Sequence, residues 1–271
     1  MNPILLLGLA AFLFLNPCAA AEEIDLRQLS PEHVTRVQSI LQKLEPLIEA
    51  KRQSGDMSRL SFQELYPLLD PVEQAFLHFF QTFDPVQAGI KTQWQGISEG
   101  VPDLVRLDNQ KIMRNGKEEI LAPQYVPAHV HAVYERMMQA MERDLGKRLY
   151  VDSGYRSSAY QLYLFLFYLG NHQYSILETA QWNAFPGYSE HGNPQNQALD
   201  FINAEGVTGE ENPEDFEKLP EYQWLTQHAR EYGFVLSFPR NAPAGIGFEP
   251  WHWRFENQQG NDKVELTTQK E

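Results

Sequence analysis

Thiols and positive charge are what this chain has least of. Cys18 is the only cysteine in 271 residues, so no internal disulfide can form. Removal of the amino-terminal segment would leave no thiol nucleophile either. Lys and Arg number 22 against 36 Asp and Glu, a formal net charge of -14, with a sequence pI near 5.0. Such a surface repels phosphate backbones and speaks against a nucleic-acid partner. There is no low-complexity tract and no internal repeat. The apolar run at residues 4–15 falls short of the ~20 residues a membrane helix needs. Followed by Ala19-Ala20-Ala21, it matches the h-region and cleavage site of a secretory signal peptide over residues 1–21. Met1-Asn2-Pro3 lacks the usual Lys or Arg, and Pro17 before Cys18 suits a lipidation site poorly. Membrane association is therefore expected only if this segment is retained or Cys18 is lipidated. Export to a periplasmic or extracellular location is the expectation.

A chain of this length can hold one large domain, or one domain with an appendage, and bury a substantial core. Ser30-Pro31 has the order of a helix start, and Val34, Val37, Leu41, Leu44 and Ile48 recur at helical spacing to about residue 51. Ser61 with Glu64 makes a capping box, and Asp70-Pro71 opens another helix carrying Val72, Phe76, Phe79 and Phe80. The Phe cluster is read as helix packing rather than a partner site. Residues 22–100 thus form a helical region ahead of the main domain, residues 101–256, with a loose polar tail at 257–271. Asn115-Gly116 signals a two-residue hairpin turn. Pro127 starts a helix with Val130, Tyr134, Met137, Met141 and Leu145 on one face, closed by Gly146. His129 and His131 in its first turn diverge and are read as surface histidines. Leu149-Tyr150-Val151 and Phe234-Val235-Leu236 read as strands. Residues 159–169 read as a buried helix, 175–182 as a further helical stretch, and Pro220 to Tyr232 as a helix with Trp224, Leu225, His228 and Ala229 inward.

The most informative stretch runs from Phe185 to Ile202. Pro186-Gly187 makes a turn, His191 follows, and a Gly/Asn/Pro-rich loop leads to an apolar strand interrupted by Asp200. A carboxylate amid an apolar strand costs several kcal/mol unless it is paired or metal-bound. A mononuclear hydrolytic zinc site needs three protein ligands, an open position and a nearby base. His191, Asp200 and His252 can supply the ligands, and Glu249 the base. Pro250 argues against a helix there, and on an ideal strand residues 249 and 252 face opposite sides. A turn or bulge at Pro250 is therefore required. Taken singly, each residue has a plainer reading: structural histidines, an Asp200 that pairs with Arg254 or caps a helix, a Glu249 that is surface charge.

Taken in order, Ser153-Gly-Tyr-Arg-Ser157, Gln161, Pro186-Gly-Tyr-Ser-Glu-His191, Ala198-Leu-Asp200, Tyr232-Gly-Phe234 and Glu249-Pro-Trp-His252 form a pattern. It resembles that of the zinc D-alanyl-D-alanine carboxypeptidases of the VanY type, which trim peptidoglycan stem peptides. The resemblance covers roughly residues 121–255. It implies zinc ligands at His191, Asp200 and His252 and a general base at Glu249. It also implies Arg156 in the substrate site, where a guanidinium can grip a peptide carboxylate or polarise the scissile carbonyl. A structural salt bridge is the alternative for Arg156. Ser189 and Gln161 match pocket-lining positions, while Tyr155 and Trp251 are candidates for stacking on substrate or for packing around the site. One departure stands out. The separation of nine residues from His191 to Asp200 is two longer than is usual in the family, and Asn196 stands where the family has Gly. Added length in such a loop costs little, so the departure bears on substrate preference more than on metal binding.

The expected fold is α+β: a small, mostly antiparallel sheet flanked by helices and carrying one zinc ion, with an N-terminal helical extension. The expected function is an exported zinc carboxypeptidase acting on peptidoglycan stem peptides of the D-Ala-D-Ala type. An L,D-carboxypeptidase or endopeptidase built on the same site is a near alternative. A catalytically inactive cell-wall binding protein is a rival of another class, and retention of all four metal-site residues weighs against it.

Overall fold

The chain begins to fold where its caps are. In the computed structural model, which describes residues 24–210, 212–241 and 247–256, Ser30 caps α1 (Pro31–Ser54) and Gly55 closes it in the left-handed region at φ 73. Capping boxes at Ser61 and Asp70 start α2 (Phe62–Leu65) and α3 (Pro71–Thr82). Val72 is 58 % exposed. The buried face of α3 instead centres on Glu73, Phe76, Leu77 and Phe80, because Glu73 is drawn in by Lys43 at 2.6 Å and Ser39 at 2.7 Å. The expected signal peptide and the polar tail lie outside the described residues.

Four short strands follow: β1 (Leu104–Leu107), β2 (Lys111–Arg114), β3 (Lys117–Ile120) and β4 (Gln124–Pro127). β1 pairs with β4, and β2 with β3 across the Asn115-Gly116 turn, both antiparallel. Asn115 and Gly116 take φ 53 and 74, the twist a two-residue hairpin demands. The rest of the chain is α4 (Ala128–Leu145), β5 (Leu149–Ser153), α5 (Ser158–Leu169), α6 (Ile176–Thr179), β6 (Ala198–Asn203), α7 (Pro213–Glu217), α8 (Pro220–His228), β7 (Phe234–Leu236) and β8 (His252–Phe255). β5, β6, β8 and β7 form, in that order, a four-stranded antiparallel sheet. The mixed helix and sheet architecture with small antiparallel sheets agrees with expectation. Among the described residues, no helix is long and apolar enough to cross a membrane.

Two cores organise these elements. Leu149, Val151, Leu199, Phe201, Phe234, Trp253 and Phe255 turn one sheet face toward α4 and α8. Side chains alternate along a strand, so Asp200, His252 and Arg254 share the opposite face. The second core joins Ile40, Leu44, Ile48, Phe76 and Phe80 of α1 and α3 to Leu162, Phe165, Leu166 and Leu169 of α5. The N-terminal helices therefore cover a helix of the main domain rather than closing on themselves. The helix expected at residues 175–182 is short, four residues in α6. His228, expected inward, sits at the surface against Glu231 at 3.0 Å, because α8 ends there and a tighter turn carries Ala229 into the core instead.

Candidate metal centre

Strand register brings the centre together. β6 and β8 pair so that Asp200 lies directly opposite His252, and β5 pairs Ser153 with Asp200 after a bulge at Asp152. His191 arrives on a tight turn, Glu190–Gly192. Two hydrogen bonds to the segment after β5 hold it: Arg156 N–H to His191 O at 3.1 Å, and His191 Nδ1–H to Gly154 O at 2.9 Å. The turn required at Pro250 is present, with His252 N–H donating to Glu249 O at 3.1 Å. Gly154 has to be glycine, since a β-carbon there would lie 2.4 Å from Tyr125 O.

His191, Asp200 and His252 are buried, and one donor atom from each lies within 4.8 Å of the others. The protonation pattern tests whether a cation fits. A carbonyl only accepts, so Gly154 assigns the His191 proton to Nδ1 and leaves Nε2 as a bare lone pair. Burial, then the nearby Arg156, push the His191 pKa down to about 4, so the ring is neutral. Among the described residues its Nε2 has no hydrogen-bond partner, yet it lies 3.0 Å from Asp200 Oδ2. Two lone pairs facing each other in a buried site repel unless a cation sits between them. Burial opposes ionisation of Asp200, but the two histidines outweigh it and hold the carboxyl well below its usual range. Asp200 Oδ1 meets His252 Nδ1 at 2.8 Å. The donor set suits zinc, which takes imidazole nitrogen and carboxylate oxygen.

Glu249 approaches from the side, its Oε2 3.9 Å from His252 Nδ1. Burial raises its pKa, His252 opposes and the Asp200 charge adds, leaving it at about 7. Arg156 reaches Asp200 Oδ2 at 3.5 Å and Gln161 Oε1 at 3.4 Å, with its Nε unpartnered. Gln161 is buried, and its amide donates to Ala184 O at 2.9 Å, so it steadies the guanidinium from behind. Ser189, also buried, precedes the Glu190–Gly192 turn as its cap residue. The two aromatic candidates pack. Tyr155 is 1 % exposed and its hydroxyl accepts from Ser98 Oγ at 3.1 Å, the packing alternative of the two. The Trp251 ring lies against Gly209 and joins the sheet core.

Sequence reasoning missed Glu190, which accepts from His252 Nε2 at 3.0 Å, Ser237 Oγ at 2.6 Å and Arg254 at 2.7 Å. Its only sequence signal was its place between Ser189 and His191. Arg254, considered as a partner of Asp200, is occupied by Glu190. Missed too was the segment around Gln95 to Ser98, from the region expected to stand apart. Gln95 N and Gly96 N both donate to Gly187 O, at 2.7 and 3.1 Å, and Ser158 N donates to Ser98 O at 2.8 Å. Asn193 Nδ2 donates to Gln95 Oε1 at 3.0 Å. This strap braces the loop that carries His191.

A His–Asp–His donor set on a small antiparallel sheet, with a carboxylate beside it, defines a candidate mononuclear metal centre. The family model for VanY, D-alanyl-D-alanine carboxypeptidase, matches residues 123–258, half of the chain, and the chain belongs to this family. A D-alanyl-D-alanine carboxypeptidase of Enterococcus faecium is 26 % identical over 156 residues, 56 % of this chain and 45 % of its own. A putative carboxypeptidase, YodJ, of Bacillus subtilis strain 168 is 27 % identical over 143 residues, 51 % and 49 % of the two chains. The chain spans about half the length of these curated relatives. Among solved structures, the LD-carboxypeptidase LdcB aligns at 23 % identity and a TM-score of 0.45, over 62 % of this chain and 74 % of that one.

Proposed function

We propose that this protein is an exported, zinc-dependent carboxypeptidase that removes the last residue from peptidoglycan stem peptides of the D-Ala-D-Ala type. One observation carries the reading: His191, whose Nδ1 is bonded to Gly154 O, turns Nε2 toward Asp200 Oδ2 at 3.0 Å, beside His252 Nδ1. His191, Asp200 and His252 would hold the metal. A bound zinc supplies Lewis acidity that polarises the scissile carbonyl and acidifies water. Glu249 accepts a proton from the attacking water on its carboxylate and delivers it to the leaving amine nitrogen. The Arg156 guanidinium binds the terminal carboxylate of the substrate, so that only the last peptide bond reaches the reacting groups. The apolar run at residues 4–15 and the extracytoplasmic position of such a substrate support export.

The test is digestion of purified muropeptides by the zinc-loaded protein, with products weighed by mass spectrometry. Loss of one alanine from pentapeptide stems is expected, with Glu249→Gln slower by about 10²- to 10⁴-fold while still holding zinc. Loss from tetrapeptide stems instead would identify the L,D activity. A zinc-loaded protein that leaves every muropeptide intact would refute the reading.

A further inference from the structure

Glu190 lies between two site residues in sequence, and its side chain is bound to His252, Ser237 and Arg254. It is 12 % exposed and reaches under His252 to the far side of the ring from Asp200. Its two oxygens accept three hydrogen bonds. Oε2 takes one from His252 Nε2 at 3.0 Å and one from Ser237 Oγ at 2.6 Å. Oε1 takes one from Arg254 at 2.7 Å. His252 and Arg254 stand two apart on β8 and so project to the same side of the sheet. Ser237 follows β7, the strand paired with β8. The carboxylate is therefore clamped by neighbouring strands.

An imidazole has two nitrogens, and the hydrogen bond made by one decides what the other can do. A carboxylate at Nε2 keeps a proton there, so that when a metal displaces the Nδ1 proton shared with Asp200, the Nδ1 lone pair is the one left to take it. Without Glu190 the neutral ring is free to carry its proton on Nδ1, where it would block a metal. We infer that Glu190 is a positioning residue: it fixes His252 as the Nε2–H tautomer, aims Nδ1 at the metal position and so sets the affinity of the centre. This rests on the metal reading given above. The alternative, in which Glu190 and Arg254 only lock the His191 turn to the sheet, is separated by the experiment.

The full chain and its Glu190→Gln, Glu190→Ala and Arg254→Gln variants are compared for zinc affinity by chelator competition, with circular dichroism to check the fold. The absorption spectrum of the cobalt(II)-loaded proteins reports the ligand field directly. Glu190→Ala is expected to bind zinc about 10- to 100-fold more weakly and to alter the cobalt bands. Glu190→Gln preserves shape and one acceptor oxygen but loses the charge, so it is expected to fold and to fall between. Arg254→Gln leaves the contact to His252 intact and is expected to weaken zinc less than Glu190→Gln. Equal affinities and unchanged cobalt spectra in both Glu190 variants would overturn the inference. So would an Arg254→Gln loss as large as that of Glu190→Gln, which would mark a simple lock. If the unaltered chain itself binds no zinc, the metal reading fails and this inference with it.

Discussion

Gly154→Ala is the change whose consequences the structure specifies most closely. The added methyl would sit 2.4 Å from Tyr125 O, about 1 Å inside ordinary contact, and the obstacle is backbone that cannot swing aside. Gly154 also stands among three hydrogen bonds. Its N–H donates to Gln124 Oε1 at 3.1 Å, its carbonyl accepts from His191 Nδ1 at 2.9 Å, and the next amide, Tyr155, donates to Tyr125 O at 2.6 Å. A shift of about 1 Å takes the last of these out of bonding range. Overpacking of this kind costs about 1–3 kcal/mol, and each bond lost adds about 1 kcal/mol. The expected destabilisation is about 2–4 kcal/mol, a fall in Tm of roughly 5–10 °C for a chain of this size. The same displacement loosens the tether that orients His191, so zinc affinity should drop about 10- to 100-fold. Thermal melts and chelator competition measure both. Gly247→Ala, where the methyl meets nothing within 4 Å among the described residues, is the control. A Gly154→Ala protein that melts and binds zinc like the parent would show that neither the close approach nor the carbonyl tether matters.

Zinc binding should be linked to pH. Burial opposes a charge on His252, but Asp200 and Glu190 outweigh it and raise its pKa to about 10, so in the metal-free protein the ring is protonated at neutral pH. A metal on Nδ1 displaces that proton, hence affinity should rise with pH, by up to about tenfold per unit below the raised pKa. Calorimetry in buffers of different ionisation heat should find about one proton released per zinc, and no release would exclude His252 as a ligand. Phe80→Ala tests the shared core. Phe80 is fully buried and packs on Phe165 of α5 at 5.9 Å between ring centroids, so its loss should cost about 3–5 kcal/mol. Unfolding is expected as one transition. Two separate transitions, only one of them shifted, would mean that the N-terminal helices fold apart from α5.

Local chemistry was legible in the chain. Ser30, Ser61 and Asp70 announce helix starts because a capping side chain bonds within its own turn. Asn115-Gly116 announces a hairpin because few residues tolerate positive φ. The donor residues His191, Asp200 and His252 were legible through their ordered resemblance to a family. What stayed hidden depends on partners far away in sequence. Nothing around Phe165 says that α1 and α3 cover it, and nothing around Gln95 says that it braces Gly187, because burial is settled by whichever surface arrives. For Tyr155 the residue type left stacking on substrate and packing both open, and its burial beside Ser98 is set by a segment far away in sequence.

The sequence by itself determined which side chains are able to hold a metal and where helices begin, since both are properties of residue types and short spacings. Only the tertiary structure decided that Asp200 faces His252 across β6 and β8, and that Glu190 reaches beneath that ring. Strand register places both residues, and register is a contest among all pairings the chain can make, settled only when the whole sheet and its two cores close together.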